Sequence, residues 1–126
     1  MTDSGKSYSS IMLDYMDKKV SEGLPLVAIN AAIPGIFGLK QFAAKYPDRY
    51  IDAGIAEQFT ITFGGAMAAA GARPIIFHNS TFVQRAYDQF WHDLAINEEP
   101  AIVIVKGGVI SGSDETHQGS SAMTWI

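Results

Sequence analysis

A chain of 126 residues suits one domain, able to bury about two thirds of its unfolded surface. With 48% hydrophobic and 17% charged residues it is not a disordered polymer, and its surplus of apolar character points to a partner surface. A net charge of −4 without a basic run excludes a nucleic-acid footprint, and the lack of cysteine excludes disulfides, thiolate nucleophiles and cysteine-ligated zinc.

Tyr8 to Val20 places Tyr8, Ile11, Met12, Tyr15, Met16 and Val20 on one stripe, which predicts an amphipathic helix begun near Ser9 or Ser10 and ended by Gly23. Leu24 to Ile29 predicts a first buried strand. Asn30 to Gly38, with Pro34, Gly35 and Gly38, predicts a loop. Leu39 to Lys45 predicts a helix stopped before Pro47, and Arg49 to Asp52 a second strand. Glu57 to Ala70 predicts a helix of Gly, Ala, Phe, Ile and Met with hardly any polar side, expected to be buried all round and to meet a second subunit. Pro74 to Phe77 predicts a third strand, Phe82 to Ala95 a helix, and Ala101 to Val105 a fourth strand. Strands alternating with helices over short connections predict a parallel α/β sheet.

The aliphatic run Ala101 to Val105 is far below the roughly 20 residues of a membrane span. The first ten residues are largely polar, so no secretory signal is expected and the cytoplasm is the default location. About twenty residues follow the last predicted strand, and they read as an unfinished domain.

Glu57 stands where a strand gives way to a helix, the end of an open α/β sheet that binds ligands. It is either a helix-start carboxylate favoured by the dipole, worth ~0.3–1 kcal/mol, or a half-buried acid that hydrogen-bonds a ligand nitrogen. Phe82, after a Ser80-Thr81 cap, is either core or a ring stacked on a planar ligand. Arg85 is either paired with Asp88 on one helical face or a phosphate ligand. His117 lies in a glycine-flanked loop beyond a strand, His78 follows the third strand and can reach the same rim, and His92 reads as structural. No pair of histidines has metal-ligand spacing, and no Gly-x-Gly-x-x-Gly or phosphate-binding loop occurs.

The runs Tyr46-Pro-Asp-Arg-Tyr50, Gly54-Ile-Ala-Glu57-Gln58, Ser80-Thr-Phe-Val-Gln-Arg-Ala-Tyr-Asp-Gln89 and Thr116-His-Gln-Gly119 carry a resemblance. In order and spacing the chain from Ser7 onward resembles the pyrimidine-binding domain of the 1-deoxy-D-xylulose-5-phosphate synthase family, and more loosely is similar to transketolase. The resemblance implies a thiamine-diphosphate-binding fold: a parallel sheet flanked by helices, here a partial pyrimidine-type domain over 1–126. Enzymes of that family use thiamine diphosphate and Mg²⁺ to join pyruvate to glyceraldehyde 3-phosphate with loss of CO₂. By resemblance Glu57 contacts N1′ of the aminopyrimidine and Phe82 stacks on it. By the same resemblance Arg85 and His117 line the substrate side, the latter handling protons; His78, from its place after the third strand, and Asp114, near the position of the family's aspartate, are further substrate-side candidates. The family usually has His where Phe59 stands and Tyr where Asn79 stands. Its aspartate four residues before the histidine is here Ser113, with Asp114 one step nearer.

The family's Gly-Asp-Gly and Asn motif for diphosphate and Mg²⁺ does not occur in this sequence. The expectation is therefore a fragment or split subunit, inactive alone, that binds the pyrimidine half of the cofactor. It would form a homo-oligomer or join a complementary chain carrying the diphosphate domain and the Mg²⁺. The rival expectation is a non-catalytic α/β oligomerisation or binding module on the same scaffold.

Overall fold

A computed structural model describes residue 5 and residues 7–107. The loop that carries Asp114 and His117 lies outside the described residues. The first helix, α1 (Tyr8–Ser21), begins at Ser7, whose hydroxyl accepts from the Ser10 amide at 3.1 Å. It leads to β1 (Leu26–Asn30), all five residues of which are buried.

The predicted loop after β1 contains a short helix, α2 (Pro34–Phe37), because Pro34 is pre-set for a first helical turn and Gly38 closes it at φ 71°. That turn drives Phe37 inward onto Phe77, ring centroids 5.1 Å apart. Helix α3 (Leu39–Lys45) and strand β2 (Tyr50–Asp52) follow where the sequence puts them. Helix α4 (Glu57–Ala69) then crosses to β3 (Arg73–Asn79).

The four strands form one parallel sheet in the order β2-β1-β3-β4, with β4 spanning Ile102–Lys106. This is the parallel α/β sheet the alternation predicts. The winding reverses between β1 and β3, so the carboxyl ends of those strands flank a topological switch point. One face of the sheet carries Ala28, Ile75 and Phe77 against Met16, Phe37, Leu39 and Phe42. The other carries Val27, Ile29 and Ile76 against Ile61, Ala86 and Leu94.

Two expectations are corrected. The segment predicted as one helix over Phe82–Ala95 is broken: α5 (Ser80–Val83), a 3₁₀ turn (Gln84–Ala86), α6 (Tyr87–Gln89) and a π turn (Phe90–Ala95). The π turn lays its backbone on α4, where a methyl group at Gly65 would sit 2.7 Å from the Asp93 carbonyl oxygen. Helix α4, in turn, is not buried all round within one chain. Glu57, Thr60, Ile61, Gly64, Gly65 and Ala68 are buried within the chain, Gly64 against the sheet and Gly65 against the π turn, while Phe59, at 52% exposure, faces outward. No helix among the described residues is long and apolar enough to cross a membrane.

Candidate functional site

At the carboxyl edge of the sheet, β1 and β2 end side by side at Asn30 and Asp52, and β3 and β4 at Asn79 and Lys106. Asp52 is a hub. Its Oδ1 accepts from the amides of Ala32 at 2.9 Å and Gly54 at 3.0 Å, and its Oδ2 from Asn30 Nδ2 at 3.1 Å and the Tyr50 hydroxyl at 3.4 Å. The Ala32 bond helps hold a non-glycine residue at φ 58°, and the Gly54 bond is an Asx turn that opens the approach to α4. Burial, then the charge of Asp52, pushes the Tyr50 hydroxyl above its ordinary pKa.

Glu57 occupies the first turn of α4 with only 3% of its surface exposed. Its Oε2 has no hydrogen-bond partner among the described residues, and the Arg85 guanidinium stands 3.6 Å from it. Arg85 comes from the 3₁₀ turn after α5, which packs on α4. The structure thus joins two of the candidates singled out in the sequence. Arg85 pairs with Glu57, while Asp88 pairs with His92 at 2.9 Å, so the expected Arg85–Asp88 pair is replaced by two others. His92 is an exposed surface partner, in keeping with its structural reading.

Phe82 is half-buried on α5, one turn before Arg85. Helix α5 is capped by Asn79, whose side chain accepts from the Thr81 amide at 3.3 Å, and not by the Ser80-Thr81 hydroxyls. The reason is that β3 runs on to Asn79, two residues beyond the predicted end. Ser80 and Thr81 are buried instead. Gly107, at φ 96°, lets the exit of β4 pass over this cap: a methyl group there would lie 2.9 Å from Ser80 Oγ.

The same extension places His78 inside β3, with no exposed surface. Its Nε2 is 2.8 Å from Thr60 Oγ1, and that hydroxyl donates to the Glu57 carbonyl oxygen at 2.7 Å. Burial lowers the imidazole pKa to about 4. The sequence reading passed over Asn30, Asp52 and Thr60. Asp52 carried a signal, an aspartate two residues before a glycine; Thr60 carried none, because its meaning depends on a strand eighteen residues on.

The fold and this edge define a parallel α/β domain with a buried acid, Glu57, at the start of the helix that crosses from β2 to β3. Residues 4–126 match the family described as "Transketolase, pyrimidine binding domain", and the chain belongs to that family. It is 39% identical over 121 residues to a 1-deoxy-D-xylulose-5-phosphate synthase of Natranaerobius thermophilus, covering 95% of this chain and 19% of that protein. Against proteins of the same name from Blochmanniella floridana and Escherichia coli the identity is 38% over 121 residues, covering 95% of this chain and 20% of each. The chain therefore spans about a fifth of the length of these curated relatives. Among solved structures, a protein described as "Split gene transketolase, inactive beta4 tetramer" superposes with a TM-score of 0.68 at 19% identity, over 83% of this chain and 34% of that one. At that identity the likeness shows the fold.

Proposed function

We propose that this chain supplies the pyrimidine-binding half of a thiamine-diphosphate site of the 1-deoxy-D-xylulose-5-phosphate synthase type. The observation that carries the reading is the Glu57 carboxylate, buried at the carboxyl edge of the sheet with Oε2 lacking a hydrogen bond. A buried acceptor left unpaired costs about 1–3 kcal/mol, and a ligand nitrogen that shares a proton with it removes that cost. Bound thiamine diphosphate would supply a thiazolium carbon nucleophile for decarboxylation of a 2-oxo acid. Glu57 would hold a proton at N1′ of the aminopyrimidine, and Phe82 would present its ring to the pyrimidine face. Arg85, already beside Glu57 and 59% exposed, would meet an anionic substrate group with its planar fork. His117 and Asp114 complete the proposed substrate side from outside the described residues.

Diphosphate and Mg²⁺ are proposed to be held by residues outside these 126, on the same or a complementary polypeptide, since the Gly-Asp-Gly motif does not occur in this sequence. The exposed apolar side of α4 supports assembly: Phe59 stacks on Phe63 at 5.2 Å, and Ile55 nearby is 79% exposed. The structural neighbour is itself described as a tetramer of a split-gene product. The same apolar side favours the second reading, a non-catalytic assembly module, as do Phe59 and Asn79 at positions where the family has His and Tyr.

The test is exchange of the cofactor's C2 proton with deuterium, in an assembly reconstituted with a diphosphate-domain chain, comparing wild type with Glu57→Gln. Loss of a positioned acid–base group slows exchange by about 10²–10⁴. Equal rates at saturating cofactor would leave the binding-module reading standing. The chain alone, with cofactor, Mg²⁺ and both substrates, should release no CO₂.

A further inference from the structure

We propose that Thr60 and His78 form a buried positioning pair, which ties the first turn of α4 to β3 and so sets where the Glu57 carboxylate stands. This deepens the reading above and rests on it for its catalytic meaning. The contacts themselves are direct. Thr60 Oγ1 donates to the Glu57 carbonyl oxygen at 2.7 Å and lies 2.8 Å from His78 Nε2. A threonine hydroxyl has a single proton. With that proton on the Glu57 carbonyl, Oγ1 faces His78 as an acceptor. The imidazole hydrogen is therefore on Nε2 and the lone pair on Nδ1.

Packing does not require polar groups here. One pleat earlier on the same strand, Ile76 meets α4 through hydrocarbon at Gly64. Thr60 and His78 are both fully buried, and His78 Nδ1 has no partner among the described residues, a cost that an apolar pair would avoid. What the pair provides is an anchor where the helix otherwise lacks one. The N-cap of α4 is Ala56, which offers no side-chain bond, and the Thr60 amide reaches only the Ala56 carbonyl, at 3.1 Å. The bond from β3 takes the place of a cap and acts on the one turn that carries the buried acid. Burial also keeps the imidazole neutral, so the same tautomer serves at neutral pH.

The experiment uses the full chain and needs no cofactor. Nitrogen chemical shifts of His78 report its tautomer, amide exchange reports the first turn of α4, and the carboxyl carbon of Glu57 reports its surroundings. Two variants break the bond: Thr60→Val removes the hydroxyl at constant shape, and His78→Asn puts its amide at the Nδ1 position. Two restore it: Thr60→Ser keeps the hydroxyl, and His78→Gln puts an amide N–H at the Nε2 position. Breaking variants should raise exchange at Thr60 and Ile61 by about tenfold relative to the last turn and shift the Glu57 signal; the restoring variants should return both. An Nδ1–H tautomer would overturn the proposal. So would folded breaking variants with an unchanged first turn and Glu57 signal, or effects that Thr60→Ser fails to reverse. If His78→Asn does not fold, the valine and serine variants decide alone. The deuterium exchange of the cofactor with Glu57→Gln is a separate measurement. Its failure removes the catalytic meaning of Glu57 and leaves the anchoring result as measured.

Discussion

Two carboxylates stand five residues apart, one ending β2 and one following it, and are used in opposite ways. Asp52 accepts four hydrogen bonds, two from backbone amides and two from Asn30 and Tyr50, and in doing so closes the loops after β1 and β2. Glu57 is nearly without exposure, has one oxygen without a hydrogen bond, and faces a cation 3.6 Å away. One carboxylate is consumed by the fold, and the other is held in reserve by it. Saturated acceptors stabilise structure, whereas an unsaturated buried acceptor marks a place where stability has been exchanged for binding.

Substitution at the two positions should therefore separate rate from stability. The largest effect is expected from Glu57→Gln in the reconstituted assembly: cofactor C2 exchange falls by about 10²–10⁴, while the unfolding free energy of the chain changes by less than about 1 kcal/mol. A denaturant titration beside the exchange measurement checks both halves. A large loss of stability with normal exchange would place Glu57 with Asp52 as a structural carboxylate.

Next comes pH. The imidazole of His78 is lowered from 6.5 to about 4 in the fold. The unfolded chain takes up that proton near pH 6.5 and the folded chain only near 4, so stability present above 6.5 is lost as the pH falls toward 4. The limiting size is about 3 kcal/mol. The difference in unfolding free energy between wild type and His78→Gln, followed from pH 7 to 4, should show this slope. Parallel curves would mean that His78 does not titrate in the unfolded chain alone.

A smaller effect is expected at the other carboxylate. Asp52→Ala leaves two backbone amides without their acceptor and the Asn30 amide group with only the Tyr50 hydroxyl at 3.3 Å, and should cost about 2 kcal/mol by urea unfolding. Its effect on cofactor exchange should come only through displacement of the β2–α4 connection. The smallest effect is expected at the exposed pair Asp88–His92, where Asp88→Asn should change stability by less than about 0.5 kcal/mol. That variant is the control that keeps the contrast from being a general effect of removing negative charge.

Sequence periodicity was enough for most of the framework. The bounds of α3, the order of strands and helices, and the position of Glu57 at a helix start all follow from local patterns of apolar residues, Gly and Pro, which act over a few residues. The motif Ser80–Gln89 also singled out Arg85, which the fold sets beside Glu57. It misjudged the setting of Arg85, because helical spacing pairs Arg85 with Asp88 only if the helix is continuous, and the 3₁₀ turn Gln84–Ala86 breaks it at Arg85.

The remaining decisions belong to tertiary structure, since each depends on groups far apart in the chain. Whether β3 stops at Phe77 or runs to Asn79 depends on pairing with β4, whose Val105 and Lys106 register with His78 and Asn79. That pairing takes His78 from the rim and buries it in the sheet. The partner of Arg85 lies twenty-eight residues earlier, and that of His78 eighteen earlier, at the start of one helix. Local sequence could place an acid after a strand, but only the crossing of α4 over the reversal in strand order could bury it, leave its Oε2 without a hydrogen bond and set an arginine beside it. Burial and hydrogen-bond satisfaction are properties of neighbours in space, and the sequence pattern encodes mainly neighbours along the chain.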